Sequence, residues 1–183
     1  MLRVAILAFG LLFWGCGGAA ATETYPFTSH NARLTVESAG NLDPDVAKQV
    51  ICVARNIYHE SRGTADSNQL AVALVTRNRT VTRGMSYCEV VFERRSPRGR
   101  AQFSWTAYSH RKHLEKASWD KAQLLALSVV TDPSVKDITN GATHFFERNL
   151  RPDWSHQAVS RITIGSHTFV RLKPPQLVLA QAR

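Results

Sequence analysis

The stretch DPDVAKQVICVARNIYHESRG, Asp43–Gly63, carries a start signal, a periodic middle and a stop signal for one helix. Asp43 is a residue type that caps the first free amides of a helix, and Pro44 follows where a missing N–H costs nothing. Gly63 can adopt the left-handed conformation just past a helix end. Between these signals, apolar residues recur at steps of four and three, the period of one helix face: Val46, Val50, Val53 and Ile57. The sequence therefore predicts an amphipathic helix across this stretch.

Glu60 occupies the next position on the apolar face of this helix. A carboxylate there is expected to be partly buried. Because burial disfavours the charged form, the pKa of Glu60 should be raised. A carboxyl group that stays protonated near neutral pH can act as a general acid. Glu60 is therefore the first candidate catalytic residue.

Length and composition are typical of one globular domain with a sizeable core. The chain has 183 residues, of which 44% are hydrophobic and 20% are charged. A net charge of +9 predicts an acidic partner, for which nucleic acid, anionic lipid and an acidic cell-wall polymer all qualify. No common nucleic-acid-binding motif is present in the sequence, so we expect no nucleic-acid partner.

Residues 1–21 have the layout of a secretory signal peptide. Arg3 gives a positive start, Val4–Trp14 is a short apolar core, and the alanines that end at Ala21 fit a small-x-small cleavage site. The apolar run is too short for a comfortable membrane span. Cys16 raises a lipoprotein alternative, but the bulky aromatics before it fit poorly, so we favour cleavage near Ala21. We expect an exported protein of the periplasm or cell wall, with no transmembrane span after signal removal.

The remainder of the chain is divided into three parts. Residues 22–42 are a polar lead without a clear period, residues 43–172 form the domain, and residues 173–183 are a tail. Export permits disulfides, and Cys52 and Cys88 both lie in the domain. Two readings remain open from sequence: two separate buried thiols, or one bridge that ties the first helix to the segment after the second.

A second helix is predicted to begin with Asp66 and Ser67 as caps. The run Leu70–Val75 is apolar on nearly every side, which indicates a central, enclosed helix. Asn78 follows this run directly. Its amide could face a cleft or cap the helix end, and the sequence does not decide between these roles.

Further capping signals follow. Ser86 with Glu89 forms a capping box for a short helix. Ser118 is expected to cap a third long helix, which ends before Pro133. The loop between these two helices is rich in arginine and contains two histidines at helical spacing, His110 and His113. Without a third ligand nearby they do not predict a zinc site, and we expect neither metal nor cofactor.

The C-terminal part has the alternation of strands. A turn at Asn140-Gly141 leads into a strand that places His144 and Phe146 on one side and Phe145 on the other. Arg161–Leu172 reads as a hairpin around a two-residue Gly165-Ser166 turn, with His167 on the strand surface. Helices followed by a small antiparallel sheet make an α+β domain.

One short block has the composition of a sugar-binding site. Gln102, Phe103, Ser104 and Trp105 alternate polar groups that can bond hydroxyls with rings that can stack on a pyranose. The two aromatic side chains could equally be ordinary core.

Seven blocks of the sequence, taken in order, resemble the catalytic domain of the spore-cortex-lytic, SleB-type cell-wall hydrolases. The blocks are RNIYHESRG (55–63), QLAVALVTRNR (69–79), YCEVVFE (87–93), QFSW (102–105), GATHFF (141–146), RPDW (151–154) and IGSHTFVR (164–171). The resemblance implies a lysozyme-like domain that cleaves peptidoglycan between N-acetylmuramic acid and N-acetylglucosamine. It also implies peptidoglycan as the partner, and we expect a monomer.

The resemblance implies roles for individual residues. The motif around Glu60 matches the one that holds the family's catalytic glutamate, so Glu60 takes that role. Eight further residues match the family's cleft positions or lie beside them and are expected to bind substrate: Asn78, Gln102, Phe103, Ser104, Trp105, His144, Phe146 and Trp154.

The sequence offers no obvious second carboxylate for glycoside cleavage. Asp66, Glu89, Glu147 and Asp153 are the candidates for a partner to Glu60, but we expect each of them to cap a helix or face water. A lytic transglycosylase avoids the need, because one glutamate serves first as acid and then as base, and characterised relatives act this way. The alternatives are a hydrolytic muramidase that uses the same site, and a non-catalytic wall-binding protein in which Glu60 is a satisfied buried carboxyl.

Overall fold

The computed structural model describes residues 42–94, 99–107 and 114–173. Helix α1, Pro44–Ser61, begins and ends where the sequence predicts. The Asp43 carboxylate accepts hydrogen bonds from the amides of Asp45 and Val46, at 2.8 and 3.4 Å. After the helix ends, Gly63 has φ +82°, the left-handed conformation expected of it. Capping and the apolar period together explain why this stretch is one helix.

Helix α2, Asp66–Arg83, is the central helix of the domain. Leu70, Ala73 and Leu74 pack into the helical core with α1 and the last long helix. On its other side, Ala71, Val72 and Val75 pack against the sheet. The prediction of an enclosed helix is confirmed. The predicted cap is wrong: Ala65 precedes the helix without a side-chain cap.

The short helix α3, Tyr87–Val91, begins with the predicted capping box. The Ser86 hydroxyl accepts from the Glu89 amide at 3.3 Å, and the Glu89 carboxylate accepts from the Ser86 amide at 2.8 Å. Of the two readings for the cysteines, the structure contains the bridge: a disulfide joins Cys52 of α1 to Cys88 of α3. The bridge fixes α3 against the first helix.

Helix α4, Lys116–Thr131, begins two residues before the predicted cap. Glu115, not Ser118, caps it, since its carboxylate accepts from the amides of Ala117 and Ser118 at 2.9 and 2.8 Å. The Glu115 amide in turn donates to the Tyr58 hydroxyl of α1 at 2.9 Å. A carboxylate reaches back to helix amides as readily as a hydroxyl, which is why the start was misplaced.

Three antiparallel strands follow the helices: β1, His144–Glu147; β2, Ala158–Ile164; and β3, His167–Leu172. Their order in the sheet is β1-β3-β2. The β2–β3 hairpin turns at Gly165-Ser166, as predicted, and Gly165 has φ +58°. Two short 3-10 helices, Ser104–Ala107 and Asp153–Gln157, complete the described elements. The α+β class is confirmed.

The prediction made for His167 is wrong. Its side chain was expected on the strand surface, but the residue is 9% exposed. Phe145 and Phe169 pack against its ring at centroid distances of 5.3 and 6.1 Å. Because the sheet is covered on this side by α2, the strand face that carries His167 is an interior face.

Several predictions fall outside the described residues. They are the signal peptide, all but the last residue of the polar lead, His110 and His113, and all but the first residue of the tail. Within the described ranges, no helix combines the length and apolar character needed to cross a membrane.

Candidate active site

Glu60 lies in the last turn of α1 and is half-buried. Burial raises its pKa from 4.5 to about 7, and the positive charge of Arg79 acts in the opposite direction. Desolvation therefore outweighs the nearby cation. Near neutral pH a large share of Glu60 carboxyls carries a proton, as a general acid requires.

A cavity of about 540 Å³ opens beside this carboxyl group. Its walls come from the α1–α2 connection on one side and from the end of β1 with the β2–β3 turn on the other. The lining residues are Glu60, Thr64, Glu147, Arg148, Asn149, Gly165, Ser166 and His167. The cavity volume falls within the range typical of small-ligand sites.

Hydrogen bonds join the two walls of the cavity. Asn68 Nδ2 donates to the Thr64 hydroxyl at 3.2 Å and also lies 3.0 Å from His167 Nδ1. On the strand side, the Arg148 amide donates to the Ser166 carbonyl at 2.9 Å, which holds the end of β1 against the turn. The cavity is therefore bounded by backbone whose positions are fixed by α2.

Arg79 is a buried guanidinium behind Glu60, and its side chain is 2% exposed. Its Nε donates to the Thr143 carbonyl at 2.5 Å, and its guanidinium lies 5.1 Å from the centre of the Phe103 ring. With the Gln102 amide oriented so that its oxygen faces Arg79, that oxygen accepts from both terminal nitrogens at 3.2 Å. Burial lowers the pKa of Arg79 to about 10, so the group remains a cation at neutral pH.

Comparison with known families identifies the protein class. A family model described as Cell Wall Hydrolase matches residues 63–170, more than half of the 183-residue chain. The chain belongs to this family. It is an enzyme that acts on the peptidoglycan of the cell wall, and the SleB-type resemblance is confirmed. Glu60 lies just before the matched segment, so its role rests on its own geometry. No curated protein and no solved structure gives a significant match.

In this cell wall hydrolase, Trp105 is oriented by the end of α1. Its indole Nε1 donates to Asn56 Oδ1 at 3.1 Å, and its ring stacks on His59 with centroids 4.5 Å apart. Phe92, which is 44% exposed, meets the same indole edge-on at 5.8 Å. This aromatic group therefore packs on the last turn of α1, the turn that also carries Glu60. The neighbouring Ser104 is exposed at the start of a 3-10 helix.

Gln102 and Phe103 have interior partners. Phe103 is buried and packs on Phe145 at a centroid distance of 6.3 Å, in addition to its contact with Arg79. The sequence left open whether the Phe103 ring stacks on a sugar or belongs to the core, and its position is that of a core side chain. Both residues contact Arg79, whose charge acts on Glu60, and neither of them lines the cavity.

The predicted group from the C-terminal part forms a cluster of its own. Trp154 packs on His144 and on Phe146, with centroids 5.5 and 5.6 Å apart. These two strand residues lie on one side of β1, whereas Phe145 on the other side packs toward Phe103 and Phe169. The alternation predicted for this strand is confirmed, but none of the three residues lines the cavity.

Asn78 holds the segment that precedes β1. Its Nδ2 lies 3.0 Å from Asp137 Oδ2, 3.2 Å from the Thr139 hydroxyl and 3.0 Å from the Ala142 carbonyl. The amide nitrogen is thus occupied by protein acceptors. Substrate binding by Asn78 stays a prediction.

Sequence reasoning singled out Glu60 but missed most of the other cavity residues. Glu147 was a candidate partner for Glu60 but was expected to cap a helix or face water, and Arg148, Asn149 and His167 were given no site role. The alternation along β1 places Glu147 on the same face as Phe145, which was an available signal. What the sequence could not supply is the packing of that strand end against the α1–α2 connection. Within the described residues, no group of three His, Cys, Asp or Glu side chains is placed to hold a metal ion.

Proposed function

We propose that this enzyme cleaves the glycan strand of peptidoglycan between N-acetylmuramic acid and N-acetylglucosamine, with Glu60 as the general acid. The observation that carries the proposal is the combination of a carboxyl group whose pKa is raised to about 7 and an open cavity beside it. A buried carboxyl with no adjoining cavity would instead favour a binding protein. Membership of the cell wall hydrolase family indicates that the polymer is peptidoglycan.

The outcome we favour is that of a lytic transglycosylase. The Glu60 carboxyl donates its proton to the glycosidic oxygen, and the bond from C1 of the muramic residue to that oxygen breaks. The electron pair leaves with the N-acetylglucosamine hydroxyl. Glu60, now a carboxylate, takes the proton of the C6 hydroxyl of the same muramic residue as this oxygen bonds to C1. The product is a 1,6-anhydro ring, and no water is consumed.

The residues around Glu60 suit the binding of a sugar chain. Trp105 and Ser104 lie beside the carboxyl-bearing turn, where an indole can stack on a pyranose and a hydroxyl can bond an acetamido group. We propose that Gln102 and Phe103 act through Arg79, whose positive charge moderates the pKa of Glu60. His144, Phe146 and Trp154 would form a further contact surface for the glycan.

A hydrolytic muramidase is the second candidate, and one observation favours it. Glu147 lines the same cavity as Glu60, and hydrolysis of a glycoside ordinarily uses two carboxylates. The two outcomes differ in their products. Mass spectrometry of the fragments would reveal 1,6-anhydromuramic ends in the first case and reducing muramic ends in the second.

The expected setting is the periplasm or cell wall, after removal of the signal peptide proposed for residues 1–21. The net charge of +9 favours contact with an acidic wall polymer. We propose that the enzyme works there as a monomer, without a cofactor and without a nucleic-acid partner.

The decisive experiment replaces Glu60 by glutamine and measures the release of soluble fragments from purified sacculi. Glu60→Gln should lose nearly all activity, because an amide cannot transfer the proton. Asp45→Asn is a matched control, since it removes a carboxylate from the same helix about 22 Å away along the axis. A Glu60→Gln enzyme that clears sacculi at a rate comparable to the control would overturn the proposal.

A further inference from the structure

The cavity beside Glu60 contains a second carboxylate, Glu147, at the end of β1. In the sheet register, Glu147 is opposite His167, which also lines the cavity. The next residue, Arg148, is fixed by the bond from its amide to the Ser166 carbonyl. The backbone that carries Glu147 is therefore held at the cavity wall by the sheet and by the β2–β3 turn.

The Glu147 side chain is not engaged in holding the fold. The residue is exposed, and within the described residues its carboxylate makes no hydrogen bond or salt bridge. A structural carboxylate is usually occupied by amides or cations, as Glu115 is at the start of α4. Glu147 is thus free to meet a molecule that enters the cavity.

The two carboxyl groups of the cavity have unlike surroundings. Glu60 is half-buried and burial raises its pKa to about 7, whereas Glu147 is exposed to water at the end of β1. The other charged or titratable residues that line the cavity are Glu60 from the helical side, and Arg148 and His167 from the same wall as Glu147. Burial lowers the pKa of His167 and the charge of Glu147 opposes this, so a neutral imidazole lies opposite the carboxylate.

We propose that Glu147 is a second catalytic carboxylate, whose negative charge stabilises the positive charge that develops on the muramic residue as the glycosidic bond breaks. This inference rests on the proposed glycan cleavage. A protonated carboxyl paired with an ionised one is the arrangement that glycoside cleavage uses, and different environments assign the two roles. Glu60 supplies the proton, and Glu147 supplies the negative charge.

The charges balance through the step. As the proton moves from Glu60 to the glycosidic oxygen, the C1–O bond electrons leave with that oxygen, and positive charge builds on C1 and the ring oxygen. Glu147 offsets this charge without forming a bond or taking a proton. The positive charge disappears when an oxygen attacks C1, whether that oxygen belongs to the C6 hydroxyl or to water, and Glu60 accepts the proton it releases. The role of Glu147 is therefore the same for both products.

The test is steady-state kinetics of Glu147→Gln on soluble peptidoglycan fragments, with Asp153→Asn as control. Asp153 is exposed, is close in sequence and does not line the cavity. Loss of one preorganised charge should lower kcat on the order of 10²-fold, with little change in KM. Glu147→Asp should recover part of the rate, because it restores a carboxylate at this position.

The inference is wrong if Glu147→Gln keeps kcat within about threefold of the control, or if only KM rises, since the residue would then only bind substrate. Thermal unfolding of Glu147→Gln should match that of the control, because an exposed side chain without hydrogen bonds is replaced. An inactive wild-type enzyme, or an active Glu60→Gln, would instead remove the proposed function itself. The two failures are therefore distinguishable.

Discussion

At the scale of single residues, Glu60 pairs a catalytic property with a cost in stability. Its pKa is raised from 4.5 to about 7, so the native state binds more protons than the unfolded chain between these pH values. Stability then falls as the pH rises through this window, since the ionised form is disfavoured in the folded protein. A residue selected for structure alone would be expected to be apolar at this position of the helix face.

This linkage predicts that Glu60→Gln is inactive and yet more stable than the wild type at alkaline pH. The free energy of unfolding of Glu60→Gln should exceed that of the wild type least near pH 4. The excess should grow by up to about 3 kcal/mol between pH 4.5 and 7, from 1.36 kcal/mol per pKa unit. Urea denaturation at pH 4.5 and pH 8 measures it. A difference that stays constant between the two pH values would contradict the raised pKa.

The same carboxyl group predicts the alkaline limb of the pH–rate curve. Because the acid must be protonated when the bond breaks, kcat/KM should fall above pH 7, tenfold for each further pH unit. Rates on soluble fragments between pH 5 and 9 would show this. A rate that is level to pH 9 would exclude Glu60 as the acid.

At the scale of elements, the β2–β3 turn is the part of the sheet that depends most on one residue. Gly165 has φ +58°, and a Cβ added there would lie 3.0 Å from Asn68 Oδ1. Asn68 is the residue that links Thr64 to His167 across the cavity. A side chain at residue 165 would therefore require the Asn68 side chain to move by a few tenths of an ångström.

Gly165→Ala should reduce activity more than a purely backbone effect would. Both it and Gly84→Ala place a side chain at positive φ, which costs about 1–2 kcal/mol. At Gly84, φ +63°, no atom lies within 4 Å of the added Cβ, so this variant carries the backbone cost without the contact. We expect kcat/KM to fall only in Gly165→Ala. Equal activities would show that the turn position does not matter to the site.

The disulfide between α1 and α3 is a second feature at the level of the elements, and it affects the stability of the fold. It closes a loop between residues 36 apart in sequence, which in the chain-entropy account stabilises the fold by about 4 kcal/mol. Replacing Cys52 and Cys88 by alanine should lower the urea midpoint accordingly, while added reductant should no longer change it. A midpoint equal to that of the oxidised wild type would show that the bridge adds no stability.

At the scale of the whole molecule, α2 separates two packing layers. The helices pack on one side of it and the sheet on the other. The turn of α1 that carries Glu60 comes from the helical layer, and the end of β1 comes from the sheet. The cavity lies where these layers meet, so its shape depends on how each packs against α2.

The net charge of +9 predicts salt-dependent binding to sacculi. Screening shortens the reach of charge–charge attraction from about 10 Å at 0.1 M salt to about 3 Å at 1 M. Sedimentation of the inactive Glu60→Gln protein with sacculi should therefore recover less protein as salt increases. Unchanged recovery would show that contacts within the cleft, not the overall charge, hold the enzyme to the wall.

Local residue patterns were enough to predict the elements whose causes are local. The capped helix α1, the capping box at Ser86, the enclosed α2 and the turn at Gly165 follow from residue types a few positions apart. Glu60 could be identified as the candidate acid for the same reason, since it interrupts the apolar face of one helix. The cap of α4 was predicted wrongly because Glu115, and not Ser118, accepts from the first amides. The burial of His167 was missed because α2, which is distant in sequence, covers that face of the sheet.

The surroundings of Glu60 depend on long-range packing between elements. Glu147 and Arg148 reach the cavity because the sheet packs beyond α2 and its turn is held by Asn68, contacts that join residues nearly a hundred positions apart. This packing also decided that Cys52 and Cys88 meet and that Asn78 is bonded within the protein. Helix periods and caps depend on neighbouring residues, whereas a cavity depends on distances between elements, which no local pattern encodes.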